Sequence, residues 1–182
     1  MGLSGSANRY GNVAIWLHWL TAGLVVAAYI VSPEGREARI YAPGSDFSRT
    51  LHETLGMLVL ALTVLRLAWR QADRRPEPLP QPRWMRIAST ATHHLLYLLL
   101  IAVPLVAIFG AWFQGHPLTL FVIGDIAPPM AAMRAIGNPL AEFHGLLGDA
   151  ILWLAGLHAA AGIFHHYILR DGVLTAMLPR RG

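Results

Sequence analysis

The chain has no cysteine and no lysine, and only 13% of its 182 residues are charged. Without cysteine there is no disulfide, no iron–sulfur ligation and no C-x-x-C-H attachment of a covalent haem, so redox chemistry here requires a noncovalent cofactor or a histidine-bound metal. All 14 basic residues are arginine. A pI near 10.1 would suit a nucleic-acid binder, but the arginines fall mainly between and after the hydrophobic runs. That is a topology signal, and no nucleic-acid partner is expected. What abounds is apolar: 55% of the residues are hydrophobic, with a mean hydropathy of +0.47, too much for an ordinary soluble domain.

The apolar residues gather into four runs, over 13–31, 51–69, 94–113 and 143–169, each near the ~20 residues that cross the hydrocarbon layer. They are apolar on every face, which a soluble helix is not. The expected architecture is an all-α integral membrane protein: one domain over 1–182, a four-helix transmembrane bundle. Segment 71–83, with Pro76, Pro78, Pro80 and Pro82 alternating, reads as stiff linker. In the longest connection, 114–142, a short surface helix is expected over 130–136. Arg9, Arg70, Arg74, Arg75, Arg83, Arg86, Arg170, Arg180 and Arg181 lie on one side, and Arg36, Arg39, Arg49 and Arg134 on the other. Nine against four places both termini in the cytoplasm. Trp69, Trp84 and Trp112 are read as interfacial anchors. The first run is long for a secretory signal, and Gly2 with Ser6 is only a weak myristoylation pattern.

Nine histidines are many for this length, and an ionisable side chain inside a span is costly without a partner or a task. Four share a context: His18 has Ala22 four residues on, His52 has Gly56, His144 has Gly148 and His158 has Gly162. Residues i and i+4 share a helix face, so each imidazole projects beside a gap where a flat porphyrin can approach the backbone. Depth sorts them into His18 with His158 toward the cytoplasm and His52 with His144 toward the outside. His144 and His158 are fourteen residues apart, which is about 21 Å along one helix and nearly the same face. Such pairs suit two bis-histidine b haems, whose filled axial positions favour electron transfer. Arg66, fourteen residues after His52, falls near the inner level, suited to a propionate. His52-Glu53 lacks the second histidine of a zinc-protease motif, since Gly56 stands in its place. Asp149 is a buried acid off the histidine stripe with no evident partner.

These residues resemble the bacterial inner-membrane cytochrome b561 family: Ile15-Trp16-Leu17-His18-Trp19-Leu20, His52 with Gly56 and Arg66, the proline-alternating loop, His93 with Tyr97, His144, and above all Gly156-Leu157-His158-Ala159-Ala160-Ala161, His165-His166-Tyr167 and Pro179-Arg180-Arg181. The resemblance implies two noncovalent b haems held by His18, His52, His144 and His158, electron exchange with ubiquinone, and superoxide as a donor on the periplasmic side. The loop 114–142 has no feature matching the family, and Asp149 stands where an uncharged residue is expected.

Two other readings stay open: a haem-bearing membrane anchor for a dehydrogenase or hydrogenase partner, and a proton or metal transporter using intramembrane His and Asp. Quinone reduction needs protons as well as electrons, so its site is expected near Arg66, His93, His165 and His166, which concentrate at the inner level. On the outer side, steering of superoxide falls to Arg36, Arg39 or Arg49, since that side is formally acidic.

Overall fold

Inside a bilayer the backbone has no water to bond, so an apolar run satisfies its own amides by forming a helix. The computed structural model describes residues 9–33, 40–41, 46–73 and 81–179. It contains α1 (Asn12–Ile30), α2 (Asp46–Ala72), α3 (Arg83–Gln114) and α4 (Arg134–Phe164), the last continued by a π-helical segment, His165–Leu169. All four are long and apolar enough to cross a membrane. The second, third and fourth helices begin earlier than hydropathy predicts, at Asp46, Arg83 and Arg134. The cause is that hydropathy detects only the stretch in hydrocarbon, whereas the helices run on through the interface. The 32 residues of α3 span about 48 Å, well beyond the ~30 Å apolar layer.

The hydrogen bonds at the chain ends fix the topology. Tyr10 N–H donates to Ala176 O (3.4 Å), the Arg9 guanidinium to Thr175 O (2.9 Å) and Leu178 O (3.1 Å), and Trp19 Nε1–H to Met177 O (2.8 Å). Both described ends of the chain therefore lie at one end of an up-down-up-down bundle, here the terminal end. At the other end, α3 stops at Gly115, whose φ of +87° suits a glycine C-cap. A two-stranded antiparallel hairpin follows, β1 (Leu118–Leu120) with β2 (Gly124–Ile126), in the register Leu118↔Ile126 and Leu120↔Gly124. This hairpin end is clasped to α2. Glu53 accepts from Thr119 N–H (2.5 Å) and from Arg49 (3.2 Å), Arg49 also reaches Thr119 Oγ1 (3.1 Å), and Thr54 Oγ1 accepts from Phe121 N–H (3.3 Å).

Three expectations are corrected here. The short helix over 130–136 does not form: Met133 is instead the N-cap of α4, and its amide donates to Phe113 O (2.7 Å), seating α4 directly on the end of α3. Arg49 is no free steering cation, because it is paired with Asp46 and Glu53 (3.2 Å each) with its side chain 11% exposed. Arg36 and Arg39 lie outside the described residues. The indole N–H groups of Trp69 and Trp112 are buried, so of the three predicted anchors Trp84, 66% exposed, is the one turned outward.

Packing is uneven. α1 lies closely on α2, and α3 on α4, while α1 meets α4 and α2 meets α3 only sparsely. A small apolar knot of Val59, Leu99, Leu100 and Ile151 ties the two halves together near mid-bundle. The closest approach is between α3 and α4. A Cβ on Gly137 would lie 2.7 Å from Gln114 N and 2.8 Å from Phe113 C, both backbone atoms that cannot move aside cheaply. Gly137→Ala is therefore expected to destabilise the fold by about 1–3 kcal/mol, read as a lowered melting temperature in detergent. A melting temperature equal to that of the unaltered chain would show that this contact is not required.

Candidate cofactor site

The sparse seams between the two helix pairs are where the histidines meet. At the hairpin end, His52 of α2 faces His144 of α4 with ring centroids 5.9 Å apart and ring planes at 88°. Toward the terminal end, His18 of α1 faces His158 of α4 at 6.3 Å and 85°. A metal bound by one nitrogen from each ring, at about 2 Å per bond, spaces the ring centres by roughly 6 to 6.5 Å. Both separations fit. The four sequence-predicted positions thus come together in the predicted pairs, at two levels of the bundle.

Second partners orient the hairpin-end rings. His52 Nδ1 lies 2.8 Å from Ala28 O, and His144 Nδ1 3.0 Å from Val103 O. A carbonyl only accepts, so each Nδ1 carries the proton and each Nε2 keeps a free lone pair, the state in which imidazole ligates a metal. Neither carbonyl was legible beforehand, because a backbone acceptor on a neighbouring helix leaves no mark in residue type. Small residues line the approach. A Cβ built on Gly56 or on Gly148 would meet nothing within 4 Å, so the spaces predicted beside His52 and His144 are open. These features fit a flat, histidine-ligated macrocycle set between the helix pairs.

The terminal-end pair has different surroundings. The His93 ring lies 5.2 Å from that of His158, shorter than a two-bond iron span, which makes His93 a neighbour of the pair. Arg66 is within electrostatic reach of His18, His93 and His158. Its guanidinium and that of Arg70 lie over the Tyr97 ring, at 5.4 and 5.5 Å. His165 is held by Asp171 through Nδ1 to Oδ2, 2.5 Å, a partner sequence reasoning missed because the π-helical turn between them breaks the 3.6-residue count. His166 packs edge-on against Tyr167 (4.8 Å). Asp149, expected to be buried and unpartnered, is exposed on the protein and does have a partner: Tyr29 Oη–H donates to its Oδ1 at 3.0 Å.

The profile of the prokaryotic cytochrome b561 family matches residues 9–180. The chain belongs to that family. Among its relatives is the probable superoxide oxidase CybB of Yersinia pestis, 30% identical over 177 residues, which covers 95% of this chain and 97% of that protein. Cytochrome b561 homolog 2 of Escherichia coli (strain K12) is 28% identical over 179 residues, 98% and 95% of the two chains. Cytochrome b562 of Cereibacter sphaeroides is 31% identical over 176 residues, 94% and 96%. This cytochrome b561 family member is therefore a multi-pass bacterial membrane protein, and its work is membrane electron transfer by a b-type cytochrome.

If haem fills the open spaces beside Gly56 and Gly148, side chains placed there must exclude it. Gly56→Leu and Gly148→Leu are expected to keep wild-type helicity by circular dichroism while haem content falls by up to about half. Full haem content in both variants would show that the spaces serve something else.

Proposed function

We propose that the chain carries electrons across the bacterial inner membrane through two b haems, one between His52 and His144 and one between His18 and His158, linking a periplasmic-side donor to ubiquinone. In this reading the terminal end, with both chain ends, faces the cytoplasm. The observation that supports it most is the pair of facing imidazoles at each of two levels, with ring spacings of 5.9 and 6.3 Å. Haem b, held by these histidine pairs, would supply one-electron redox chemistry there. Superoxide is the small-molecule donor, a reading the name of the Yersinia pestis relative supports. Two superoxide ions each give up one electron and leave as dioxygen. One ubiquinone takes the two electrons and two protons.

The remaining side chains divide by level. Arg66 offers its charge to a propionate or to a quinone carbonyl. His93 borders the same space, and His166 stands next to His165 in the π-helical turn. His165, its Nδ1 engaged by Asp171, has Nε2 left to exchange a proton. The quinone site is accordingly placed beside the His18/His158 pair. A second reading, a haem-bearing anchor for a dehydrogenase or hydrogenase subunit, gains support from the exposed apolar tip of the hairpin, where Val122 is 93% and Ile123 69% exposed.

Two tests apply. Replacing any one of the four paired histidines by alanine leaves that porphyrin held mainly by packing, so haem content should drop from about two to about one per chain. Two haems retained after any one replacement would remove that histidine from the ligand set. Superoxide and quinol should each reduce the haems of the purified protein. Separate replacements of His93, Arg66 and His165 should then slow electron exchange with quinone while both haems stay bound and reducible by dithionite. Quinone kinetics unchanged in all three would move the site elsewhere.

A further inference from the structure

A closed circuit of contacts surrounds the hairpin-end pair, and part of it is unexplained by ligation. His144 of α4 faces His52 of α2, and His52 donates through Nδ1 to the carbonyl of Ala28 in α1 (2.8 Å). The next residue, Tyr29, donates through its hydroxyl to Asp149 (3.0 Å), five residues beyond His144 and back on α4. Two features of the fold make this circuit consequential. Ala28 lies in the last turn of α1, where carbonyls outrun the helix's own amides: Val31 N–H goes to Ala27 O and Ser32 N–H to Tyr29 O. A helix end of this kind frays, so a side chain that relies on its carbonyl needs that end pinned. α1 and α4 otherwise touch only sparsely, and the Tyr29–Asp149 hydrogen bond is a direct side-chain tie between them.

We infer that Tyr29 and Asp149 are positioning residues for His52: their hydrogen bond fixes the end of α1 to α4, so that the Ala28 carbonyl holds the His52 ring at the angle and in the tautomer that ligation requires. The inference rests on the ligand assignment proposed above. It also gives the intramembrane carboxylate a physical role. A carboxyl inside a span is costly unless bonded. Here the bond couples α4, which carries His144, to the helix that orients the opposite ligand. Partners of this kind act by fixing ring orientation and tautomer and by raising ligand basicity. Their loss therefore changes the electronic state of one haem and leaves the other as it was.

The test is made on the full chain with its haems bound, by low-spin ferric EPR, which reports the angle between the axial ring planes, and by redox titration. The hairpin-end haem is identified as the one lost in His52→Ala. Asp149→Leu and Tyr29→Phe should each shift the EPR signal and midpoint potential of that haem and leave the His18/His158 haem unmoved. The double variant should shift them no further than either single one, and Asp149→Asn, which keeps an acceptor for the tyrosine hydroxyl, should restore the wild-type signature. Should Asp149→Leu not fold, Tyr29→Phe carries the test alone, since it removes one hydroxyl from a side chain that is 41% exposed. Unchanged spectra in Tyr29→Phe, equal shifts of both haems, or an Asp149→Asn variant that behaves like Asp149→Leu would overturn the inference. Full haem content in His52→Ala would instead show that the ligand assignment beneath it is wrong.

Discussion

Two pairs of imidazoles face one another across seams that the protein itself closes only in part, and the rest of the bundle is organised around keeping those seams open and in register. Within the α3/α4 pair the contact is close enough that a single added Cβ at Gly137 would collide with backbone. Between the pairs, glycines stand beside open space and the core is a small knot around Val59 and Ile151. In a bilayer this division makes physical sense, because lipid tails are as apolar as leucine and there is no hydrophobic force to drive the two halves together. Specific bonds must hold them. On the proposed reading these bonds include iron–nitrogen bonds, so that binding free energy of the cofactor is also folding free energy of the bundle.

Much of this was legible in the sequence, for identifiable reasons. Four apolar runs imply four spans because the hydrocarbon thickness is fixed, and the His-x-x-x-small recurrence reports the four facing positions because i and i+4 share a face. What escaped is what lies outside those two periodicities. Helix ends were misplaced at Asp46, Arg83 and Arg134, since polar residues at an interface extend a helix without extending its hydropathy. The clasp of Arg49 and Glu53 on Thr119 joins positions about 70 apart through a backbone amide and a hydroxyl, and no residue pattern records it. Asp149 looked unpartnered because its donor, Tyr29, is on another helix, 120 residues away in sequence.

The hairpin clasp changes how the hairpin end of the bundle must be pictured. With Arg49 committed to Asp46, Glu53 and Thr119, its charge is locally compensated and its task is structural: it holds β1 over the start of α2, six residues before His52 in that helix. The approach to the hairpin-end pair is therefore shaped by a small β-hairpin with an apolar tip. An apolar tip of that kind favours lipid or protein contact over long-range attraction of an anion.

The two levels also differ in a way that bears on the direction of flow. At the hairpin end both rings donate from Nδ1 to backbone carbonyls, which raises the basicity of the ligating nitrogens and stabilises the more positive, oxidised iron. Toward the terminal end the pair lies within electrostatic reach of Arg66, and a fixed positive charge in a low-dielectric span favours the state that has gained an electron. On the proposed ligand set these two effects have the same sign. Each lowers the free energy of an electron at the terminal end relative to the hairpin end, so an electron received at the hairpin end moves downhill along α4. On the same reading it arrives beside His93 and the Asp171-bound His165, the groups proposed to serve a quinone.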